Sequence, residues 1–510
     1  MEKNYLEITR GSQIYRLRDR VLFRFLEFLP GAFSWLTLLI TFVLSYLAPI
    51  VVALFIIIFD LFWLARIFYL SFHQIVSFRK MQKNLRIDWL KKLKSKNPDS
   101  WKNIYHLIIL PMYREGFEIV DSTCQALEKS SYPKEKMIVI LAIEERAGEK
   151  AREIAQRIQE KWQKSFFRFL VTYHPEKIEG EVAGKGSNVA WALKQAREKI
   201  INPFLIPHKD IIVSSFDIDT RPYPQYFACL TWHYLNTTLP LQSSYQPIPL
   251  YNNNIWEAPA FSRVISTSGS FWQMMQQERP EQLVTYSSHS FPFQVFKEMG
   301  YPSNLVSDDS RIFWKAFLFY NGNYKVTPLY YPVSMDAVLA RNLIQTIINQ
   351  YKQQRRWAWG VENIPYLLYG FFKNKKIPLY EKFRHSVVVL EGFWSWATSA
   401  LLIFFLGWLP LVLGGQEFNI TLLSYNLPRL TSNLMSLAMI GMIIGAIISM
   451  SILPPRPPRY GKWKTFSLIF QWLFLPLTLI IFGALPALEA QTRLMLGRHL
   501  GFWPTEKVRQ

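Results

Sequence analysis

Cysteine is scarce in this chain of 510 residues, which has only Cys124 and Cys229. Neither cysteine stands in a CxxC or cysteine–histidine pattern, which argues against a zinc site. We expect two reduced, buried thiols, as suits a domain on the reducing side of a membrane. The sequence also has no GxxxxGK(S/T) loop, internal repeat or long low-complexity tract, so P-loop and repeat architectures are excluded.

Acidic residues are few, since 37 Asp and Glu stand against 58 Lys and Arg, giving a formal net charge of +21. A basic chain can bind nucleic acid, but much of this Lys and Arg flanks apolar segments. Anionic lipid head groups and a nucleotide diphosphate are the better partners, and nucleic acid is not expected. Half of the chain is hydrophobic and 19% is charged, which indicates a soluble domain joined to membrane helices.

The first long apolar region runs from Ala32 to Leu70. It is too long for one membrane span of about 20 residues, so we predict two helices that turn near Pro49. Basic residues precede and follow it, which places both ends of the hairpin in the cytoplasm. The N-terminal part then divides into a basic cytoplasmic segment (1–30), a transmembrane hairpin (31–71) and a basic linker (72–100).

Two ionisable residues, Asp60 and Arg66, interrupt the second predicted span. Ionisable groups inside a bilayer are costly, and they are usually paired or functional. We expect Arg66 to reach the membrane interface. Asp60 either pairs with another helix or lines a polar path.

The chain returns to the membrane in 386–490 and ends in a basic tail, 491–510. The candidate spans are about Phe393–Leu413, Asn433–Leu453 and Phe466–Leu488. Three spans after a cytoplasmic domain would put the tail outside, although it carries Arg493, Arg498, Lys507 and Arg509. Either one segment is interfacial or re-entrant, or the positive-inside rule fails at this end.

Between the apolar regions, residues 100–385 alternate strand and helix patterns. The predicted strands are 104–110, 137–143, 167–173 and 210–217, and the first helices are 117–129 and 148–165. This alternation predicts a doubly wound parallel sheet. Such sheets bind ligands at the carboxyl ends of their strands, where Tyr113, Glu144 and Asp217 stand.

Two acidic motifs suggest chemistry. Asp217-Ile-Asp219 follows a strand, and two such carboxylates can hold a hard divalent cation that also contacts a diphosphate; a surface turn is the alternative. Asp308 and Asp309 precede a helix. Adjacent acids raise each other's proton affinity, so one can serve as a general base. The alternative is that they cap the helix.

Two further motifs suggest phosphate and sugar contacts. The segment 184–188, Gly-Lys-Gly-Ser-Asn, precedes a helix, and the N-terminus of a helix favours the binding of phosphate. The alternative is that its Ser or Asn only caps the helix. Gln353, Arg356 and Trp357 share one helix face. Arginine can clamp a phosphate, and tryptophan offers a platform for a sugar ring. The pattern of the helix that carries them also indicates an amphipathic helix that lies on the membrane surface.

Together these motifs resemble those of family-two membrane glycosyltransferases, the group that contains cellulose, chitin and hyaluronan synthases. The resemblance covers roughly residues 104–360. Its matching elements are "PMYRE" (111–115), "GKGSNVAWAL" (184–193), Asp217-Ile-Asp219, Ser307-Asp308-Asp309 and Gln353-x-x-Arg356-Trp357. The last of these, QxxRW, is the most specific.

The resemblance implies a GT-A catalytic domain with a Rossmann-like mixed sheet (101–335), interfacial helices carrying QxxRW (336–385) and transmembrane helices on both sides. It implies an inverting hexosyltransferase in the plasma membrane with a cytoplasmic catalytic domain. Asp309 would be the base beside Asp308, and Asp219 with Asp217 would hold Mg²⁺ or Mn²⁺. The implied nucleotide-sugar contacts are Pro111, Tyr113, Glu115, Glu144, Lys185, Asn188, Asp217, Gln353, Arg356 and Trp357.

The chain departs from the family pattern at three places. Glu144-Glu145 stands where the family has an Asp-rich pair, Arg114 replaces an Asn, and Asp308 replaces a Glu. The donor would be a nucleotide sugar, UDP-linked, and the acceptor a growing polysaccharide. Two alternatives stay open: a single addition to a lipid acceptor, and a non-catalytic membrane scaffold that binds nucleotide sugar or lipid head groups.

Overall fold

The computed structural model describes residues 4–501. Within that range, eight strands form one mixed sheet in the order β3-β2-β1-β4-β7-β6-β8-β5. The strands are β1 (Tyr105–Met112), β2 (Met137–Glu144), β3 (Arg168–His174), β4 (Ile211–Ser215), β5 (Arg221–Pro222), β6 (Ser243–Leu250), β7 (Ser290–Pro292) and β8 (Lys325–Ser334). The expected α/β class with a mixed sheet is confirmed.

Helices cover both faces of this sheet and continue on either side of it in sequence. Those up to the end of the sheet are α1 (Leu17–Leu47), α2 (Pro49–Leu85), α3 (Trp89–Lys96), α4 (Phe117–Glu128), α5 (Glu149–Trp162), α6 (Lys185–Ala196), α7 (Tyr226–Asn236), α8 (Ala260–Gln277), α9 (Phe293–Met299) and α10 (Asp308–Phe319). Those after it are α11 (Leu343–Ala358), α12 (Asn363–Lys373), α13 (Leu379–Phe404), α14 (Leu409–Leu413), α15 (Gly415–Asn419), α16 (Leu422–Ser451), α17 (Lys462–Phe470), α18 (Leu475–Thr478) and α19 (Leu485–Met495).

The parallel part of the sheet consists of β3, β2, β1 and β4. β2 is a nearly continuous apolar run, and all eight of its residues are buried, as expected of a strand covered on both faces. β3, at the edge of the sheet, is only partly buried. β7 then runs antiparallel to both β4 and β6. The predicted parallel arrangement therefore holds for the first four long strands, and the sheet becomes mixed beyond β4.

Five helical stretches within the described residues are long and apolar enough to cross a membrane: Leu17–Leu47, Pro49–Leu85, Leu379–Phe404, Leu422–Ser451 and Lys462–Met495. The first two are separated only by Ala48. A helix of 31 residues is about 46 Å long, whereas the hydrocarbon core is about 30 Å thick. The basic first turns of α1 therefore extend beyond the apolar part of the helix.

The two ionisable residues of α2 have different surroundings. Arg66 forms an ion pair with Glu391 of α13 and lies over the ring of Trp63. Asp60 is 3% exposed where α2 packs on α16, near Thr431. The structure thus gives Arg66 a partner on another helix instead of leaving it to the interface alone.

The last apolar stretch is irregular and contacts two different helices near its ends. A 3-10 turn and a π-helical turn interrupt it between α17 and α19. Near its start, the Arg263 guanidinium of α8 donates to Gln471 at 2.6 Å. Near its end, Arg355 of α11 donates to Glu489 at 2.7 Å. These contacts tie the stretch to the sheet domain at one end and to the QxxRW helix at the other.

The first and last described helices lie side by side. Arg24 of α1 donates to the carbonyl oxygen of Leu494 at 3.0 Å. Deeper in the bundle, the Ser34 hydroxyl donates to Gln491 at 2.6 Å across 457 residues of sequence. The end of α19 therefore lies beside the basic start of α1. The outer part of the predicted tail, including Lys507, falls outside the described residues.

Both cysteines lie in the core beside the sheet. Cys124 and Cys229 are buried free thiols, as predicted. Burial raises the pKa of each thiol above its ordinary value. Both therefore behave as small apolar side chains of the core.

Candidate active site

Asp219 is anchored by main-chain contacts at the carboxyl edge of the sheet. Its side chain is 0% exposed, and Oδ2 accepts a hydrogen bond of 2.8 Å from the backbone N–H of Asp336. The Asn253 amide donates to the carbonyl oxygen of Asp219 at 3.0 Å and to Oδ1 of Asp336 at 2.8 Å. The ends of β4, β6 and β8 are thereby tied together around Asp219.

One lysine joins the two acidic motifs. Nζ of Lys185, in the first turn of α6, lies 2.6 Å from Oδ1 of Asp217 and 2.8 Å from Oδ1 of Asp309. Burial alone would lower the pKa of Lys185, but the charges of Asp217, Asp309 and Asp308 raise it overall, so the ammonium group stays charged. We call Asp217, Asp219, Asp308 and Asp309 the acidic cluster.

The two adjacent acids of α10 differ in their environments. Asp308 is 3% exposed, and its Oδ2 accepts a hydrogen bond of 3.2 Å from the Tyr301 hydroxyl. Burial and the neighbouring Asp309 raise the pKa of Asp308 to about 8, against the opposing influence of Lys185. Asp308 is therefore mostly protonated at neutral pH, while the Asp309 side chain keeps 24% exposure toward the cleft.

The contacts of Ser307, Asp308 and Asp309 are not those of a simple cap at the start of α10. Ser307 occupies the N-cap position of α10 but forms no capping hydrogen bond. Its hydroxyl instead donates to Glu362 at 2.6 Å. The side chains of Asp308 and Asp309 contact Tyr301 and Lys185, so their contacts are those of a cleft and not of a simple helix cap.

Residues 184–188 pack tightly against the start of α10. A Cβ added to Gly186 would lie 2.9 Å from Cβ of Asp308 and 2.6 Å from the carbonyl oxygen of Pro302, so this approach requires glycine. Neither Ser nor Asn caps α6. Asn188 is 1% exposed and donates to the carbonyl oxygen of Ala142 at 2.7 Å, which ties the start of α6 to β2.

The residues from the first two strands form a separate polar corner. Pro111 lies within β1, not after it. Oε2 of Glu115 accepts from the backbone N–H of Tyr113 at 2.7 Å, so Glu115 closes the turn. Glu144 is 4% exposed and pairs with Nε of Arg146 at 2.5 Å. Because the Arg146 guanidinium also lies 5.0 Å from the Tyr113 ring centre, these three side chains form one unit.

The QxxRW residues lie on α11, as predicted, and Trp357 connects this helix to the acidic cluster. The rings of Trp357 and Tyr251 are 6.0 Å apart. Burial, and then the charges of Asp217, Asp219 and Asp309, raise the pKa of Tyr251. Gln353 is 9% exposed and accepts from Gln350 at 3.3 Å. Arg356 directly precedes Trp357 in the last turn.

Several residues of the cleft were not assigned a role from the sequence: Tyr251, Asn253, Ser287 and Asp336. His289 lies there as well, with Nδ1 3.7 Å from Oδ1 of Asp309. Burial lowers the pKa of His289 to about 4, so the ring is neutral, and its Nδ1–H donates to the Tyr286 carbonyl oxygen at 2.8 Å. Tyr251 directly follows β6, and Asp336 lies two residues beyond the end of β8. The strand-end criterion that identified Asp217 would have found both.

The donor set suits a divalent cation that arrives with a diphosphate. No group of three His, Cys, Asp or Glu side chains gathers as a metal cage in residues 4–501. Mg²⁺ in nucleotide sites commonly takes one or two protein carboxylates and completes its shell with phosphate and water. Asp217 and Asp219 supply that number of hard oxygen ligands, and therefore fit Mg²⁺ or Mn²⁺.

No protein-family model matches the sequence, and no curated protein does. Among solved structures, the chain is similar to the mannosyltransferase PcManGT from Pyrobaculum calidifontis in complex with GDP-Man and Mn²⁺, at 14% identity over 78% of this chain and 99% of that chain, with a TM-score of 0.41. It is also similar to S. aureus TarS 1–349 in complex with UDP-GlcNAc, at 10% identity over 78% of this chain and 93% of that chain, with a TM-score of 0.38. Identities this low assign no residue a role.

Proposed function

We propose that the chain is a membrane-bound, inverting glycosyltransferase of the GT-A type that moves a sugar from a nucleotide-diphosphate sugar, UDP-linked, to a hydroxyl of a growing polysaccharide. One observation carries the proposal: Lys185 joins Asp217 and Asp309 at 2.6 and 2.8 Å. The carboxylates that we assign to the metal and to the general base are thus joined through one ammonium group, which supports their acting on one substrate. Two acidic motifs in unconnected crevices could not act on one substrate.

Asp309 is the proposed general base. It removes the proton of the acceptor hydroxyl as that oxygen bonds to the anomeric carbon and the bond from this carbon to the diphosphate oxygen breaks. A single displacement of this kind inverts the anomeric centre. The buried Asp308 is mostly protonated at neutral pH, so it does not compete for the proton and instead positions Asp309.

The cations of the cleft are assigned to the diphosphate. Lys185 contacts two carboxylates, and a diphosphate would offer a denser negative charge to the same ammonium group. Moving Lys185 toward the diphosphate would release Asp309 to act as a base. Arg356 is assigned to the departing diphosphate as well. A Mg²⁺ or Mn²⁺ ion on Asp217 and Asp219 would supply further charge neutralisation when bound.

The polar corner of Tyr113, Glu144 and Arg146 is proposed to bind the nucleoside. It lies at the carboxyl ends of β1 and β2 on the parallel side of the sheet, where β1 is the neighbour of β4 and where α/β sheets bind ligands. We place the protein in the plasma membrane with this domain in the cytoplasm, since basic residues flank its apolar helices.

A donor screen tests the proposal. Purified protein in detergent, with Mg²⁺ or Mn²⁺, is incubated with UDP- and GDP-linked sugars while nucleotide release and product size are measured. Long products support polysaccharide synthesis, and lipids carrying one sugar support the single-addition alternative. Absence of release from every donor would overturn the proposal in favour of a non-catalytic scaffold.

Asp309→Asn should abolish transfer while leaving donor binding intact, because asparagine keeps the shape of the side chain but cannot take a proton. Loss of a general base typically costs about 10²- to 10⁴-fold in rate. Nucleotide release and equilibrium donor binding are measured on the same preparation. Asp99→Asn, on an exposed residue, is the matched control, and normal turnover by Asp309→Asn would refute the base assignment.

A further inference from the structure

Helix α11 is inverted relative to an ordinary surface helix. Its exposed side is apolar: Leu343 is 59% exposed, Ile344 71%, Ile347 40% and Ile348 39%. Its buried side is polar and consists of Thr346, Asn349, Gln350, Gln353 and Gln354, each 9% exposed or less. This pattern suits a helix with its apolar side toward lipid and its polar side toward a hydrophilic interior.

The polar side of α11 and Trp357 lie on the same face of the helix. Asn349, Gln350, Gln353 and Gln354 precede Trp357 by eight, seven, four and three residues, which keeps them on one face of the helix. We call these four the amide row. From Trp357, beside the acidic cluster, the row extends about 10 Å along the helix to Gln350.

Parts of the amide row lack hydrogen-bond partners. Among the described residues, Nδ2 of Asn349, Oε1 of Gln350 and Nε2 of Gln354 are buried without one. The bonds within the helix are already made: Gln345 donates to Asn349 at 3.2 Å and Gln350 donates to Gln353 at 3.3 Å. A buried polar atom without a partner costs about 1–3 kcal/mol, so three on one face indicate that a polar ligand or water completes them.

The chemistry of these atoms selects the ligand class. Two donors and one acceptor, with no charged side chain in the row, complement neutral hydroxyl groups, which both accept and donate. Phosphates would call for cations, and acyl chains would leave the amides unsatisfied. We infer that the amide row binds the hydroxyl groups of the acceptor saccharide, so that its terminal sugar reaches Trp357 and Asp309. The inference rests on the proposed function, and it adds Asn349, Gln350 and Gln354 to the acceptor site.

Equilibrium binding in lipid nanodiscs tests this inference. The probes are tetrasaccharides of glucose, N-acetylglucosamine and mannose, and the variants are Asn349→Leu, Gln350→Leu and Gln354→Leu. Losing one hydrogen bond should weaken binding of the best tetrasaccharide by about three- to tenfold. Ile344→Leu, on the lipid-facing side of α11, should bind as the unmodified chain does.

Donor binding, measured in parallel, separates the two proposals. We expect every variant to bind the nucleotide sugar normally, which also shows that it is folded. Unchanged tetrasaccharide affinity in all three leucine variants would overturn the amide row as an acceptor site, as would the absence of binding by every tetrasaccharide. If the unmodified chain neither binds nor turns over any nucleotide-sugar donor, the proposed glycosyl transfer is wrong as well.

Discussion

Replacing Asp308 with asparagine should remove a pH-dependent weakness of the folded protein. The pKa of Asp308 is raised to about 8 by burial first and by Asp309 second, whereas an aspartate in an unfolded chain has a pKa of about 3.9. Since each pKa unit is worth about 1.4 kcal/mol, ionising this carboxyl in the folded protein costs on the order of 5 kcal/mol at most. Asparagine has the size of the protonated form and can still accept from Tyr301.

The sign follows from the raised pKa. The contribution of protonated Asp308 to stability is complete below about pH 4 and is lost as the pH rises through about 8. The apparent Tm of the unmodified protein in detergent should therefore carry a fall of several degrees between pH 5 and pH 9 that Asp308→Asn lacks. Differential scanning fluorimetry at 0.5-unit pH intervals measures both curves.

Two controls sharpen the comparison. Asp99→Asn, at an exposed carboxylate, should leave the pH dependence of Tm unchanged. Asp309→Asn should remove part of it, because the charge of Asp309 is the second cause of the raised pKa. Parallel Tm curves for the unmodified protein and Asp308→Asn would show that Asp308 ionises normally, and the division of roles between the two acids would fail.

Other perturbations reach further parts of the chain. Lys185→Met should lower Tm at neutral pH because it removes the cation that Asp217 and Asp309 share, at a cost of up to about 3–5 kcal/mol. Mn²⁺ should restore part of the loss, and no recovery with Mn²⁺ would count against a cation site there. Glu391→Gln should lower the Tm of the membrane part because Arg66 loses its ion-pair partner. The double variant Glu391→Gln/Arg66→Leu should recover part of that Tm, whereas additive losses from the two changes would contradict the pairing. A reporter fused after residue 510 should lie on the same side of the membrane as one fused at the N-terminus, and protease protection of one but not the other would refute the placement of α19.

Local pattern was sufficient to predict much of the α/β half. The predicted strands 104–110 and 137–143 differ from β1 and β2 by at most two residues at either end, because continuous apolar runs between breakers leave little choice of element. Beyond β4, the order of β7, β6 and β8 depends on contacts distant in sequence. The strand β7, Ser290–Pro292, is only three residues long, which is too short for its hydrophobic pattern to be recognised in the sequence.

The candidate site shows the same division. Asp217, Asp309 and Trp357 could be selected from the sequence because their motifs stand at recognisable positions: after a strand, at a helix start and on one face of a helix, respectively. The Lys185 bridge could not be derived, since it depends on how α6 and α10 meet at Gly186. Asn188 could be selected as a candidate ligand contact near a helix start, but the bond from its amide to the β2 backbone could not be predicted from the motif.

The contact between Ser34 and Gln491 also constrains how the molecule is made. Its partners are 457 residues apart, so at ribosomal rates of about 5–20 residues per second the first helix waits about 20–90 s for its companion. During that interval the serine hydroxyl faces lipid or an insertion factor. Truncation before residue 485 would leave α1 permanently without that companion, and quality-control proteases would meet an unfinished bundle even though the sheet domain had already folded.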